Sequence, residues 1–285
     1  YRFLSNKIYL YVYLMKKKIL IIGKNSFIGK NLFIYLKKFF NLYIINFKQF
    51  KKIPKKKLAH YNFIINCSIT KKYVSSSYSV KNDNDVYIAN KIKNIPYLKT
   101  IFLSTRKIYK VGNNLKENSP TKPKCNYSKN KQITEKKLIQ IHSDKVLILR
   151  ISNIVGQFNK NKSTRKVHYT FIDNFFLNIK KNIIFNNKNL YKDFISIKKF
   201  CEIVRKLVLK DANGIFNVSL GKKIYLKDIV SWLNFYNKNH NLVKEIPNNF
   251  NKDCFYLNNL KLKKKIFINF TDSELKNYCI KIGKQ

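Results

Sequence analysis

An open parallel β-sheet with helices on both faces is the architecture this sequence predicts. Two observations predict it. Strand-like and helix-like stretches alternate through the first half of the chain, and the first pair is joined by a turn framed by glycines. Ile19-Leu20-Ile21-Ile22 ends at Gly23, a short turn follows, and Gly29 opens the helical stretch Lys30–Leu36. The chain has 7 glycines in 285 residues, so each one retained is read as answering a backbone need.

Each element then follows in order. Ile19–Ile22 is the first strand and Phe27–Phe40 the first helix. Leu42–Ile45 and Asn62–Asn66 are the next strands. Asn84–Ile95 is a helix that stops before Pro96, because the residue before a proline is pushed out of the helical region. Thr100–Leu103 is a strand, Asn126–Ile141 a helix, and Val146–Leu149 a buried strand ending at Arg150. Beyond Gly156 the pattern loosens: a polar stretch (157–168) precedes a helix around Phe171–Ile179, and Lys261–Gln285 reads as a terminal helix. The expected organisation is a sheet domain over residues 15–156. A smaller, partly interleaved part over 157–285 follows, with some segments returning to the sheet.

Composition limits the classes of function. A 45% apolar fraction can fill a sizeable core. The formal charge of +45 invites a nucleic-acid reading, but arginine occurs only at Arg2, Arg106, Arg150, Arg165 and Arg205, so 54 of the 59 basic residues are lysine. Lysine, Asn, Ile, Phe and Tyr are together what an AT-rich coding sequence favours. The charge therefore reads as a solvated surface and not a dedicated nucleic-acid face.

The single methionine, Met15, stands just before Lys16-Lys17-Lys18-Ile19, so residues 1–14 are expected to be an extension outside the fold. Their apolar piece is too short to span a membrane, and no other stretch has the length to do so. Cysteines 67, 125, 201, 254 and 279 are scattered and odd in number, which fits free thiols in a reducing, cytoplasmic setting. The isolated histidines and cysteines suggest no metal site.

Two motifs carry chemistry. A strand–turn–helix such as Gly23–Gly29 holds the pyrophosphate of a dinucleotide on a helix N-terminus, which nominates Gly23, Asn25, Ser26, Phe27, Ile28 and Gly29. Tyr127 and Lys131 are four apart and share a helix face. An ammonium near a phenol favours the phenolate, and the lysine can also reach a cofactor ribose. Spacing alone is weak here: chance gives about three to four Tyr-x-x-x-Lys matches in so Tyr- and Lys-rich a chain. Three occur, at Tyr13, Tyr87 and Tyr127.

Context separates them. Phe102-Leu103-Ser104-Thr105 is an apolar strand ending in two hydroxyls. Glu117-Asn118-Ser119-Pro120 and Pro123 precede Tyr127, and Glu135 follows it. With these landmarks the chain resembles the extended short-chain dehydrogenase/reductase family, the nucleotide-sugar epimerases, dehydratases and reductases, in register from about Lys18 to Leu233. Ile65-Asn66-Cys67-Ser68 is similar to the family's strand end beside the adenine. Asn84 and Asn90 fall where its helix carries paired asparagines. Leu149–Gly156 resembles the segment after the next strand, Lys192–Ile197 the segment near the substrate, and Gly214–Val218 with Gly221 the late strand and turn.

The resemblance implies a Rossmann-type doubly wound sheet with a smaller C-terminal substrate part. It implies NAD or NADP as cofactor and a nucleotide-diphospho-sugar as substrate. Thr105 would hydrogen-bond the sugar, Tyr127 exchange its proton, and Lys131 hold the nicotinamide ribose and depress the tyrosine pKa. Cys67 and Ser68 would lie beside the adenine, and Asn153 and Lys192 beside the substrate. A homodimer is expected by the same analogy.

Departures refine this. Ser26 replaces a family glycine; it can cap the helix and donate to a phosphate. Asn46 stands where an NAD-preferring enzyme carries a carboxylate, and with Lys48 it tilts the reading towards NADP while leaving NAD open. Arg106-Lys107 in place of an Asp-Glu pair disfavours water elimination, leaving epimerisation or 4-keto reduction, expected in surface polysaccharide precursor synthesis. Lys192 keeps the charge of the usual arginine without its bidentate fork. The rival reading is a non-catalytic NAD(P)-binding sensor or scaffold on the same fold.

Overall fold

The computed structural model describes residues 17–156, 190–236 and 254–284. The extension before residue 15, the polar stretch after Gly156 and the helix expected around Phe171–Ile179 lie outside the described residues. Among the described residues the strands are β1 (Lys18–Ile22), β2 (Asn41–Ile45), β3 (Phe63–Asn66), β4 (Lys99–Thr105), β5 (Val146–Ile151), β6 (Asn153–Val155), β7 (Tyr191–Lys192), β8 (Phe194–Ser196), β9 (Gly214–Val218) and β10 (Ile224–Tyr225).

Six of them make one sheet in the order β2-β1-β3-β4-β5-β9, every pair parallel. Successive side chains of a strand face opposite ways, and both faces of this sheet are covered. In β1, Ile19 and Ile21 enter one core cluster while Leu20 and Ile22 enter another. This is why the strands read as unbroken apolar runs.

The helices, in chain order, are α1 (Phe27–Leu36), α2 (Phe47–Lys52), α3 (Lys55–Leu58), α4 (Lys71–Ser75), α5 (Asn84–Ile92), α6 (Asn126–Ile141), α7 (Ile197–Leu209), α8 (Leu226–Leu233), α9 (Leu260–Lys265) and α10 (Ser273–Gly283). Helices α1 and α7 pack together over the first face, while α6 packs against α4 and α5 over the second. A separate cluster of Val155, Phe194, Leu220, Ile224, Ile229 and Leu275 sits with the small β6-β8 and β7-β10 pairs.

Several boundaries differ from expectation. The first helix stops at Leu36, because the amides of Phe39 and Phe40 turn back to the Leu36 carbonyl. The helix before Pro96 ends at Ile92, with the Ile95 amide closing a turn onto Ile92. Strands β4 and β5 run on to Thr105 and Ile151. The lysine-rich stretch after β2 holds two short helices, the first opened by a capping box between Asn46 and Gln49. The expected terminal helix is two helices, broken at Ile266, whose backbone is extended at φ −137 and ψ 136.

The strand order reverses beside β1: the chain steps from β1 to β2 on one side, then returns to β3 on the other. The carboxyl ends of β1 and β3 therefore open a crevice, the place where ligands bind in open α/β sheets. The turns after these two strands are Gly23–Gly29 and Cys67-Ser68.

Candidate functional site

The glycine turn is shaped by contact with its neighbour strand. Gly23 has φ +121, and a Cβ there would lie 2.8 Å from the carbonyl carbon of Cys67. A Cβ at Gly29 would lie 2.6 Å from the Gly23 carbonyl oxygen. Only glycine fits either place, and the turn thus brings the N-terminus of α1 against the ends of β1 and β3. Ser26 caps that helix: its Oγ accepts from the Gly29 amide at 2.8 Å. The expected cap is there, and as an acceptor the Ser26 hydroxyl keeps its own proton to donate. Burial pushes the Cys67 thiol well above its ordinary value.

Beyond Cys67, Asn66 shapes the next turn. Its Oδ1 accepts from the Ser68 amide at 3.0 Å and from the Ser68 hydroxyl at 2.6 Å, and Asn84 Nδ2 donates to Ser68 Oγ at 2.9 Å. Asn46 is exposed at the end of β2; its Oδ1 accepts from the Gln49 amide at 2.8 Å, so the cap uses its acceptor and leaves its amide donors. Lys48 is exposed one turn on. Next to Asn46 and Asn84 opens a cavity of about 520 Å³, walled by Phe47, Lys51, Lys55, Lys81, Tyr87 and Lys91 among others.

Helix α6 carries the second motif. Ser128, Lys131, Glu135 and Leu138 are buried at spacings of three and four, one face of a 3.6-residue helix. The structure brings Thr105, Tyr127 and Lys131 together. Thr105 ends β4 beside the Tyr127 phenol, and the Lys131 ammonium lies 6.0 Å from the centre of the Tyr127 ring. That ammonium stands over the Phe102 ring at 4.4 Å.

The electrostatics depart from expectation. Burial raises the Tyr127 phenol to about 12, with the Thr105 hydrogen bond pulling the other way. The lowering expected from Lys131 is absent, because that ammonium lies on Phe102 and answers to acids. Burial pulls Lys131 below its ordinary value, opposed in turn by Asp85, Asp83, Glu135 and Cys67. Asp85 itself is raised to about 7, first by burial, against the pull of Lys131. At neutral pH the tyrosine of the free protein is a proton donor.

The two residues expected beside the substrate are placed differently from each other. Asn153 is half-buried in β6, where its Nδ2 donates to the Asp193 carbonyl at 3.0 Å, so one of its amide hydrogens serves the fold. Lys192 is half-buried in β7, its ammonium 5.9 Å from the centre of the buried Phe255 ring, which also carries the Arg106 guanidinium at 3.7 Å. Among the described residues no group of His, Cys, Asp and Glu could hold a metal, and no helix is long and apolar enough to cross a membrane.

Sequence reasoning missed the acids around Lys131 and the polar network behind them. Asp85 begins α5, and Asp83 caps it through the Asp85 and Val86 amides at 3.0 and 3.1 Å. The available signal was charge out of place: Glu135 on the apolar face of α6 and Arg150 at the end of an apolar strand, each needing a partner when buried.

The comparisons with known proteins bear on this geometry. Residues 84–219 match the NAD dependent epimerase/dehydratase family. No curated protein sequence matches the chain. Among solved structures, the UDP-N-acetylglucosamine 4-epimerase of Methanobrevibacter ruminantium M1, in complex with UDP-N-acetylmuramic acid, is 18% identical with a TM-score of 0.74, covering 95% of this chain and 98% of that one. The UDP-glucuronic acid 4-epimerase of Bacillus cereus, in complex with NAD, is 17% identical with a TM-score of 0.71, covering 94% and 99%. The RMD protein of Pseudomonas aeruginosa, complexed with NADPH, is 12% identical with a TM-score of 0.73, covering 94% and 99%. At these identities the likeness is one of fold.

Proposed function

Since residues 84–219 match the model of the NAD dependent epimerase/dehydratase family, we propose that the protein is an NAD(P)-dependent enzyme that epimerises a nucleotide-diphospho-sugar or reduces its ketone. The observation that carries this reading is the meeting of Thr105 and Tyr127 at the carboxyl end of β4, with Lys131 one helical turn further on.

The residues present fit a dinucleotide. The Gly23–Gly29 turn admits only glycine at its two ends and sets the N-terminus of a 10-residue helix at the strand-order reversal. The pyrophosphate would lie on that helix. The adenosine would run past Ser68 and Asn46 towards the lysine-walled cavity, and the nicotinamide ribose would reach Lys131. The bound cofactor supplies hydride exchange with a sugar carbon.

The chain's own residues supply orientation and the proton. Thr105 and Tyr127 both present hydroxyls to one position, so a sugar hydroxyl or ketone oxygen seated there meets two partners. With its phenol raised to about 12, Tyr127 enters as the proton donor, the role needed when a ketone is reduced. Arg106 follows Thr105 directly and offers no carboxylate, so the site lacks there an acid or base for eliminating water. Asn153 and Lys192 are proposed to meet the nucleotide-diphosphate side of the substrate, and a surface polysaccharide precursor is the proposed product class.

The test is a titration with NADH and NADPH followed by incubation with UDP-, GDP- and dTDP-sugars, with products read by mass. Retained mass with altered chromatography marks epimerisation; a gain of two hydrogens marks reduction. Dinucleotide binding with no turnover of any of them would overturn the enzyme reading and select a sensor.

A further inference from the structure

Behind Thr105 and Lys131 lies a buried polar network that the proposed chemistry does not touch. Ser104, Arg150 and Asn217 are direct register partners on β4, β5 and β9, side by side across the carboxyl ends of three strands. All three are buried, as is Glu135 of α6. The Glu135 carboxylate accepts from Ser104 Oγ on one strand and from Arg150 on the next, with Nη2 to Oε2 at 2.7 Å and Nε to both oxygens at 3.2 Å. Arg150 Nη1 donates to Tyr109 OH at 2.9 Å and to the Glu117 carbonyl at 2.6 Å. Tyr109 OH donates to Asn217 Oδ1 at 2.7 Å, and the Asn217 amide donates to Glu117 Oε1 at 2.9 Å.

Ser104 precedes Thr105, and Glu135 lies one turn beyond Lys131. We propose that Glu135 is a positioning residue: through Ser104 it sets the height of Thr105 against Tyr127, and from one helical turn away on the same buried face it shapes the surroundings of Lys131. The proposal rests on the functional reading above for the reaction it serves. Its electrostatic half concerns only residues of this chain.

Fold stability alone asks for less than this arrangement. A buried ion pair is often no better for stability than apolar residues of the same volume, whereas loss of one partner strands the other. What the pair adds is direction. Carboxylate oxygens shared between a strand-end hydroxyl and a guanidinium leave α6 little freedom to slide or rotate over β4. An error of about 1 Å at reacting groups can cost on the order of 100-fold in rate. The groups facing the Lys131 ammonium are Asp83 and Asp85 from the start of α5, Cys67 from the turn after β3, the rings of Tyr73 and Phe102, and Tyr127 and Glu135 from its own helix. Glu135 is the one acid among them that also reaches the strand carrying Thr105.

Three variants of the full-length protein test this. Ser104→Ala keeps the Glu135–Arg150 pair and cuts the link to β4. It should lower kcat about tenfold while the cofactor Kd stays within about twofold. Glu135→Gln keeps the shape and removes the charge. In an ammonium-detected NMR titration, Lys131 should then deprotonate at a lower pH than in the wild type. Glu135→Asp should restore most of that shift while leaving kcat low, because the shorter side chain retreats from Ser104.

Unchanged kcat in Ser104→Ala, or an unmoved Lys131 titration in Glu135→Gln, would overturn the proposal. The Lys131 titration reads without turnover, so it stands even if no sugar is converted. Tyr127→Phe with undiminished turnover would sink the functional reading while leaving the titration result intact. If Glu135→Gln does not fold, Ser104→Ala and Glu135→Asp still decide.

Discussion

Thr105 at the end of β4 and Tyr127 in the first turn of α6 lie side by side, 22 positions apart in sequence. Neither residue could place the other. β4 is held from both sides by β3 and β5, and α6 is held by Asn130, whose Nδ2 donates to the Tyr73 and Ser76 carbonyls at 2.8 and 2.9 Å. The contact joins two rigid elements, as a pre-organised site requires.

Removing the phenolic hydroxyl should separate chemistry from binding. Tyr127→Phe is expected to lower kcat by about 100-fold or more while NADH or NADPH binds with unchanged Kd. Steady-state rates beside fluorescence titration of the cofactor check this; a matching loss of cofactor affinity would refute the proton-transfer role.

The raised phenol implies a direction in pH. With Tyr127 at about 12 in the free protein, the proton-donating form persists across the neutral range. Ketone reduction, read as kcat/KM, is expected to stay flat in this group from about pH 6 to 9, whereas alcohol oxidation, which needs the base, should climb with pH. A basic limb below pH 9 in the reductive profile that vanishes in Tyr127→Phe would contradict it.

Two carboxyls, Asp85 half-buried and Asp193 buried, should shape stability. Asp85 and Asp193 are each raised to about 7, by burial first, from an unfolded value of about 3.9. A raised acid binds its proton more tightly when folded. Its contribution is therefore complete below about pH 4 and is lost as pH rises through about 7. Tm should fall across that window and level off above it, and Asp85→Asn should flatten part of the fall. Thermal unfolding at half-unit pH steps would show it; a Tm rising from pH 4 to 7 would rule this out.

The glycine turn should tolerate no side chain. Gly23→Ala places a methyl at φ +121 and 2.8 Å from the Cys67 carbonyl carbon. The strained backbone alone costs about 1–3 kcal/mol, so Tm should drop by several degrees and cofactor binding should weaken. Differential scanning calorimetry with and without NADH separates the two losses.

The lysine-walled cavity beside Asn46 should set cofactor preference. The Lys51 ammonium lies 5.2 Å from the Phe47 ring centre and 5.4 Å from that of Tyr87, at the cavity wall. Lys51→Ala is expected to weaken NADPH about tenfold and NADH less than about twofold, with the difference shrinking at high salt. Equal losses for both dinucleotides would place the 2′-phosphate elsewhere.

Much of this was legible along the chain because sheet and helix leave local marks. Unbroken apolar runs marked strands covered on both faces, and Asn126–Ile141 was readable to the residue, since its face repeats every three to four positions. The helices at Phe47–Lys52 and Lys55–Leu58 were not read, because each has a single buried side chain, Phe50 and Leu58. So small an apolar face gives periodicity nothing to detect. The acids beside Lys131 were hidden for another reason: they come from turns and helices remote from it in sequence.

The sequence by itself determined the alternating α/β order, the glycine turn at the first crossover, and the pairing of Tyr127 with Lys131 on one helix face, since each depends on residues within a turn or two of one another. Order and context along the chain singled out Tyr127 among the Tyr-x-x-x-Lys pairs, and only the tertiary structure decided what surrounds its phenol. Tyr87 faces outward under the Lys51 ammonium, while Tyr127 meets Thr105. The tertiary structure also decided that burial comes first in moving both groups, raising the Tyr127 phenol and lowering Lys131 against the pull of nearby acids. Spacing specifies a helix face; what that face encounters depends on long-range packing, and so do the solvent loss and neighbouring charges that move a pKa.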